Sequence, residues 1–241
     1  MIDKQQLKKY AAEYGVTVDD IAAEQLDCYA RLLVEWNEKM NLTAITEPEQ
    51  IVVKHFVDSL TAVPLLPKKD SVSLIDVGTG AGFPAIPLAI VCKNLQVTLL
   101  DSLNKRLLFL QEVCRELGLS AQTVHARAED GGKDPALREK FDVATARAVA
   151  ALPTLSEYCL PFCKVGGVFL AMKGPESDAE FEAAKTAVSV LGAKEKAAHS
   201  LWLPCVDGEK QERRIFVFEK VKPTPPKYAR PTVKINKEAL R

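Results

Sequence analysis

Three glycines stand at alternate positions after a short apolar run, in the stretch Ser73–Pro84. Gly78, Gly80 and Gly82 can adopt positive φ angles or let a ligand approach the backbone closely. Pro84 suits the first turn of a helix, where its missing N–H costs nothing. The pattern predicts a buried strand, a glycine turn and a helix, an arrangement in which open α/β sheets bind a cofactor with a sugar and a charged tail.

Two further residues narrow the class of ligand. Phe83 stands where a dinucleotide-binding G-x-G-x-x-G motif has its last glycine, and the sequence contains no G-x-x-x-x-G-K-[ST] motif for a triphosphate. Asp101 ends the next predicted strand, where a carboxylate could accept both hydroxyls of an unphosphorylated ribose. The sequence therefore predicts an adenosine-type cofactor, with the alternative that Asp101 only caps the following helix.

Polar side chains also follow the third, fourth and fifth predicted strands. Ala128 and Glu129 follow the third strand and could bracket an adenine amino group, while Arg147 follows the fourth strand and Lys173 the fifth. Because the carboxyl ends of parallel strands meet at one edge of a sheet, we expect these residues in one crevice. The alternatives are a solvated Glu129 and surface ion pairs for Arg147 and Lys173, which would contribute little energy.

A second group of candidate residues precedes the sheet. His55 and Asp58 lie one turn apart in a helix predicted from about Pro48 to Val63, so they share a face of that helix. They could close over the cofactor or over the molecule it modifies. The alternative is that His55 is a structural residue whose ring nitrogens are already satisfied.

The elements that must position these residues alternate between strands and helices after residue 71. Predicted strands cover residues 72–77, 96–100, 123–125, 141–145, 168–172, 193–203 and 214–220. Four predicted helices follow the first, second, fourth and fifth strands, the first ending near residue 91 and the others covering residues 104–117, 152–163 and 178–191. Repeated βαβ units require parallel strands, whereas the last two strands have no helix between them and can pair antiparallel. The predicted fold class is α/β, a doubly wound Rossmann-like sheet of about seven strands that is mostly parallel with one antiparallel strand.

The residues before the sheet show helical rather than strand periodicity. Apolar residues recur at spacings of three and four over residues 3–40, with Gly15 separating two helices. We therefore divide the chain into an N-terminal helical cap at residues 1–65, a cofactor-binding domain at residues 66–221 and a basic C-terminal tail at residues 222–241.

Composition gives weaker information about partners and location. The 241 residues carry no formal net charge, but residues 209–241 contain ten Lys or Arg against four Glu. This local excess favours a nucleic-acid partner, with a solvated tail as the alternative. The six cysteines are scattered, and the sequence has neither a leader pattern at its start nor an apolar run long enough to span a bilayer. We expect a cytoplasmic protein without a membrane partner and, since nothing indicates an obligate dimer, a monomer.

Eight short motifs occur together in one order along the chain. They are Val34–Asn37, Asn41–Thr43, Lys54–Leu60, Asp76–Pro84, Asp101–Arg106, Ala128-Glu129, Arg147-Ala148 and Lys173-Gly174. In this order, and over about residues 20–220, the chain resembles the RsmG (GidB) family of bacterial ribosomal RNA methyltransferases. The tail segment Tyr228–Val233 departs from the Tyr-Pro-Arg and Gly-Thr-Pro pattern of that family.

The resemblance implies a class I methyltransferase that uses S-adenosyl-L-methionine. Its substrate would be N7 of a guanine in the helix-18 loop of 16S rRNA, so 16S rRNA or the small ribosomal subunit is the expected partner, and no metal is expected. The implied cofactor-binding residues are Gly78, Gly80, Gly82, Phe83, Asp101, Ser102, Ala128, Glu129 and Arg147. The candidate catalytic residues are Arg147, Lys173, His55 and Asp58.

Guanine N7 carries a lone pair in the neutral base, so it can attack a methyl group without first losing a proton. Such an enzyme needs no general base and would act mainly by positioning its reactants in line. Two other functions remain open from the sequence. One is a methyltransferase with a small-molecule or protein substrate, and the other is a non-catalytic module that binds RNA or a nucleotide.

Overall fold

The computed structural model describes residues 1–240, and a seven-stranded sheet forms its centre. The strands are β1 (Val72–Val77), β2 (Leu95–Asp101), β3 (Ala121–His125), β4 (Phe141–Arg147), β5 (Cys163–Lys173), β6 (Ala193–Trp202) and β7 (Glu212–Lys220). Their order across the sheet is β3-β2-β1-β4-β5-β7-β6. Strands β1 to β5 pair in parallel, and β7 is antiparallel to both β5 and β6. The predicted mostly parallel sheet with one reversed strand is therefore confirmed.

This topology defines one functional edge of the sheet. The strand order reverses beside β1, whose neighbours β2 and β4 lie on opposite sides. Ligands of open α/β sheets bind outside the carboxyl ends of the strands at such a switch point. Because β7 is reversed, its first residues and the last residues of β6 also reach this edge, which we call the carboxyl edge.

Helices of the N-terminal part lie against one face of the sheet. They are α1 (Lys4–Glu13), α2 (Asp20–Met40), α3 (Pro48–Gln50), a π-helical segment (Ile51–Val57), α4 (Asp58–Leu60) and a 3-10 turn (Val63–Leu65). Asp19 caps α2 by accepting a hydrogen bond from the Ala22 N–H at 2.7 Å, as polar residues at that position commonly do. The helix predicted from about Pro48 to Val63 is confirmed in place, but its middle is π-helical, a geometry that occurs frequently at functional sites.

The remaining helices connect the strands or follow them. They are α5 (Ala85–Val91), α6 (Asn104–Leu117), α7 (Ala128–Gly131), α8 (Leu152–Cys159), α9 (Asp178–Val190) and α10 (Thr232–Lys237). The prediction of a helix over residues 152–163 was too long, because α8 ends at Cys159, a 3-10 turn covers Leu160–Phe162, and Cys163 begins β5. Pro161 has no N–H with which to continue the α-helical ladder.

Apolar packing joins the N-terminal helices to the sheet. Leu26 and Phe56 belong to the same buried cluster as Leu74 of β1, whereas the next residue, Ile75, packs into a second cluster on the other face. The two clusters follow from the alternation of side chains along a strand. The division into a cap, a cofactor-binding domain and a tail stays a prediction, and we expect the cap to fold together with the sheet.

The segment after β7 is fixed to the body of the protein by buried polar contacts. Arg230 makes an ion pair with Glu157 at 2.8 Å, and Arg138 donates to the carbonyl oxygens of Thr224 and Tyr228. Arg230 is therefore engaged in the fold rather than presented to a polyanion. None of the helices within residues 1–240 has the length and apolar character required to cross a bilayer.

Candidate functional site

The glycine loop lies at the carboxyl edge between β1 and α5. Gly78, Gly80 and Gly82 have φ angles of 71°, 59° and 97°, so the predicted positive φ angles are confirmed. The three glycines nevertheless differ in what surrounds them. A Cβ on Gly82 would lie 2.7 Å from the Tyr29 hydroxyl oxygen, whereas one on Gly80 would have only a backbone oxygen within 4 Å. A Cβ on Gly78 would lie 2.9 Å from Val149 Cγ2. Gly78 and Gly82 therefore permit close packing, while Gly80 leaves room beside the loop.

Asp101 holds the glycine loop against the end of β2. Its side chain is buried, and Oδ2 accepts a hydrogen bond from the Gly80 N–H at 2.9 Å. Oδ1 accepts from the Leu103 N–H at 2.9 Å, just before α6 begins. Leu103 is the N-cap of α6 and, among the described residues, no side chain caps this helix, so the helix-capping alternative for Asp101 was wrong. Binding a ribose would use the remaining acceptor capacity of the same carboxylate.

A cavity of about 180 Å³ lies between the loop and the ends of β2 and β3. It is lined by four of the predicted cofactor-binding residues, Gly78, Ser102, Ala128 and Glu129. Two residues that the sequence did not indicate, Val149 and Thr232, also line it.

The Thr232 side chain closes one side of this cavity, because its hydroxyl donates a hydrogen bond to the buried Glu129 carboxylate. The volume is below the range of about 300–1,000 Å³ that is usual for ligand sites. Movement of Val149 and Thr232 would enlarge the cavity.

Asp76 is the last residue but one of β1 and lies next to the loop. Its Oδ2 accepts a hydrogen bond from the Thr79 hydroxyl at 2.6 Å, while its buried Oδ1 has no hydrogen-bond partner within residues 1–240. Burial raises the pKa of the Asp76 carboxyl to about 7, although the Thr79 hydrogen bond and Arg147 act in the opposite direction. The loop thus encloses a buried carboxylate oxygen that can accept a further hydrogen bond.

This raised pKa predicts a pH-dependent stability. The unfolded carboxyl loses its proton at a lower pH than the folded one, so the stability is full below about pH 4 and falls as pH rises towards 7. Between pH 5 and pH 8, the free energy of unfolding of the wild type should fall by about 2–3 kcal/mol more than that of Asp76→Asn. The reason is that Asn keeps the Thr79 contact without a charge. Urea unfolding of both proteins at several pH values measures this difference. Parallel pH profiles for the two proteins would contradict the prediction.

Arg147, at the end of β4, contacts three of the other predicted site residues, His55, Asp58 and Phe83. Its Nη1 lies 2.7 Å from Asp58 Oδ2 and its Nη2 lies 3.3 Å from His55 Nδ1. The guanidinium also stands 5.0 Å from the centroid of the Phe83 ring, and the His55 ring stacks on Phe83 at 4.4 Å. Phe83 therefore joins the glycine loop to this cluster. The structure brings together residues that lie far apart in the sequence.

His55 is neutral in this cluster. Burial, followed by the nearby Arg147 charge, lowers the pKa of His55 to about 3. Its Nε2 lies 3.0 Å from the Thr43 hydroxyl oxygen, and the Thr43 N–H donates to Asn37 Oδ1 at 2.9 Å. The alternative of a satisfied structural histidine therefore describes its contacts. Two further motifs of the sequence, at Asn37 and Thr43, support the ring from the cap.

A second cavity, of about 390 Å³, opens beside the Arg147 cluster. Five cationic side chains line it, namely Lys54, Arg147, Lys173, Arg213 and Arg214. It also contains His55 and Asp58, so all four candidate catalytic residues meet there.

Contacts of the cations shape this cavity. Lys173 lies 2.8 Å from Glu180 and donates to the Ala150 carbonyl at 3.0 Å, and Arg213 Nε lies 3.3 Å from Asp58 Oδ1. Arg213 comes from the first residues of β7. The spacing of the motifs contained no signal that β7 reaches the carboxyl edge, because that depends on the strand order.

Comparison with known proteins identifies the family. The family model described as rRNA small subunit methyltransferase G matches residues 22–207. The chain is 49% identical over 231 residues to Ribosomal RNA small subunit methyltransferase G of Alkaliphilus metalliredigens, covering 95% of each chain. It is 47% identical over 241 residues to the protein of the same name from Exiguobacterium sp., covering 100% of each chain.

Solved structures support the fold independently. Precorrin-6y C5,15-methyltransferase of Geobacter metallireducens matches with a TM-score of 0.52 at 17% identity, over 73% of this chain and 90% of that one. TYW2 of M. jannaschii, solved in complex with AdoMet, matches with a TM-score of 0.51 at 17% identity, over 64% and 71% of the two chains. At such identities the likeness concerns the fold alone, and it confirms the Rossmann-like methyltransferase architecture. The family model and the relatives together confirm the resemblance found in the sequence, and the chain belongs to the GidB family, rRNA small subunit methyltransferase G.

Proposed function

We propose that this protein transfers the methyl group of S-adenosyl-L-methionine to N7 of a guanine in the helix-18 loop of 16S rRNA. The observation that carries the proposal is the cation-lined cavity beside the glycine loop, in a chain that belongs to a family of rRNA small subunit methyltransferases. The protein would act as a monomer in the cytoplasm, on 16S rRNA or on the small ribosomal subunit.

The residues around the glycine loop fit the cofactor. Gly80 leaves the backbone open, and Gly78, Ser102, Ala128 and Glu129 line a cavity at the ends of β2 and β3. The unpaired Oδ1 of Asp76 is a buried acceptor suited to an ammonium group. When bound, S-adenosyl-L-methionine supplies an electrophilic methyl group on a sulfonium. In this proposal Asp101 accepts the ribose hydroxyls and Glu129 accepts from the adenine amino group.

The second cavity fits the substrate. Its volume of about 390 Å³ lies within the usual range of about 300–1,000 Å³ for ligand sites, so it has room for a base. Lys54, Lys173 and Arg214 line it, each paired with a carboxylate, of Asp207, Glu180 and Asp178 respectively. In this proposal they exchange these partners for phosphates, which supply most of the sequence-independent affinity for RNA. Phe83 contacts both His55 and Arg147, so the wall of the base cavity is continuous with the cofactor loop.

The side chains of His55 and Asp58 in this cavity fit a reaction whose nucleophile needs no general base. His55 has a pKa of about 3, so it stays neutral, and its ring nitrogens already face Thr43 and Arg147. Asp58 lies in ion-pair contact with Arg147 and Arg213. Guanine N7 offers its lone pair without losing a proton, so the N7–carbon bond can form as the carbon–sulfur bond breaks. These residues would then position the base rather than remove a proton.

A label-transfer assay tests this function. Small ribosomal subunits from a strain that lacks the modification should gain about one radioactive methyl group per particle, whereas large subunits treated alike should gain none. Because phosphate contacts release counterions, the affinity for the substrate should decrease steeply as the salt concentration rises. Binding of the cofactor without transfer to either subunit would contradict the proposal and favour a non-catalytic module.

A further inference from the structure

Trp202 is the last residue of β6, and 57% of its surface is exposed to solvent. The other tryptophan, Trp36, is half-buried and packs against Phe109 with ring centroids 5.7 Å apart. A single exposed aromatic residue is ordinary on a protein surface. Trp202 differs because it lies near the second cavity, the one of about 390 Å³, which we call the substrate cavity.

Trp202 lies at the carboxyl edge, on the same side of the sheet as the site. Strand β6 runs in the direction of β5, because both are antiparallel to β7 between them. Lys173 ends β5, lines the substrate cavity and is level with Ser200 of β6, because both pair with Arg214. Two strand spacings of about 5 Å each and two further residues of about 3.3 Å each separate Lys173 from Trp202, a distance of about 12 Å. A neighbouring nucleotide of an extended RNA strand bound in the cavity can reach the Trp202 side chain across this distance.

A further cavity joins Trp202 to the site. It has a volume of about 440 Å³ and is lined by Pro175, Trp202, Lys210, Gln211, Glu212 and Arg213. Arg213 also lines the substrate cavity, so the two cavities share a wall. Lys210 is exposed to solvent, and the one carboxylate of the lining, Glu212, accepts a hydrogen bond from the Ser200 hydroxyl at 2.6 Å.

The backbone at Trp202 is held firmly. Its carbonyl accepts a hydrogen bond from the Tyr14 hydroxyl at 2.5 Å, and its strand partner in β7 is Glu212. The exposed ring is thus presented by fixed backbone beside cationic side chains. Proteins bind unpaired RNA with such pairs of features, an aromatic ring on which a base stacks and cations that follow the phosphates.

We propose that the Trp202 ring stacks on an unpaired RNA base next to the target nucleotide, while Lys210 contacts the adjoining phosphate. This inference rests on the proposed function, because it requires an RNA substrate in the neighbouring cavity. The cationic lining favours RNA over a protein partner, for which a wider apolar patch would be expected.

Three substitutions of Trp202 test the stacking. Trp202→Ala should raise KM for small subunits about tenfold, since one base–aromatic stack has about this effect. Trp202→Leu should resemble Ala, because it keeps an apolar side chain without a π face, whereas Trp202→Phe should stay within about twofold of wild type. Cofactor affinity and kcat should be unchanged in all three. Equal KM values for Ala and wild type, or for Leu and Phe, would overturn the inference.

Fluorescence tests the contact without methyl transfer. In a Trp36→Phe variant, Trp202 is the only tryptophan of the chain. Titration with a single-stranded oligoribonucleotide should quench its emission, and high salt should reverse the quenching. Quenching by small subunits but not by the oligoribonucleotide would overturn stacking in favour of a ribosomal protein contact. If RNA quenches the emission of Trp202 but the protein methylates no rRNA, the stacking is supported and only the proposed function is refuted.

Discussion

Gly78→Val is expected to abolish binding of S-adenosyl-L-methionine while leaving most of the fold intact. Gly78 has a φ of 71°, which a β-branched residue rarely adopts. A Cβ there would lie 2.9 Å from Val149 Cγ2, so the new side chain would push into the cavity next to Ser102 and Ala128. We expect the cofactor affinity to fall at least about 100-fold, since a close backbone approach to the ligand is lost. Isothermal calorimetry measures it directly.

Gly15→Val is the matched control for this experiment. Gly15 has a φ of 72°, but a Cβ there would meet nothing within 4 Å, and the residue lies between α1 and α2. Both variants therefore carry the same backbone strain, of about 1–2 kcal/mol, and only one of them obstructs the loop. Normal cofactor binding by Gly78→Val, or an equal loss of binding in both variants, would contradict our assignment of the loop.

Arg147→Ala is expected to lower kcat at least about 100-fold, because Arg147 links the cofactor loop to the substrate cavity through Phe83 and Asp58. It should also reduce the free energy of unfolding by about 1.5–3 kcal/mol, since the buried Asp58 carboxylate would lose its 2.7 Å partner and keep Arg213 at 3.3 Å. Single-turnover methyl transfer and urea unfolding measure the two effects separately.

Two controls separate positioning from stability. Arg115→Ala removes an exposed arginine that pairs with Glu112 on α6, so the free energy of unfolding of this variant should stay close to that of the wild type. The double variant Asp58→Ala/Arg147→Ala removes both charges and should recover part of the lost stability without recovering activity. If activity returned with stability in the double variant, Arg147 would have only a structural role.

Local sequence signals predicted most of the fold. The apolar run at Val72–Val77 and the apolar periodicity that ends at Gly118 correspond to β1 and α6 as observed, and Gly118 has the expected left-handed conformation. These elements were predictable because strand length, helical spacing and terminal glycine are encoded within a few residues. The overlong prediction at residues 152–163 shows the limit of periodicity, since a buried apolar run continues from α8 into β5.

The candidate site was predictable only in part. Residues at the ends of strands, such as Asp101 and Arg147, could be placed because parallel strands share an edge. The contacts of Val149 and Thr232 with the cofactor cavity, and of Arg213 with Asp58, depend on long-range packing. No spacing rule connects Thr232 with Glu129, because 103 residues separate them.

The position of the transferred methyl group distinguishes N7 of the target guanine from every other acceptor. Small subunits from a strain that lacks the modification are treated with the protein and S-adenosyl-L-methionine, and the purified 16S rRNA is reduced with borohydride and cleaved with aniline, which breaks the chain at 7-methylguanosine. We expect one new cleavage, at a guanine of the helix-18 loop, and none when the cofactor is omitted. A methyl group on another atom, on a ribosomal protein or elsewhere in the rRNA would contradict this expectation.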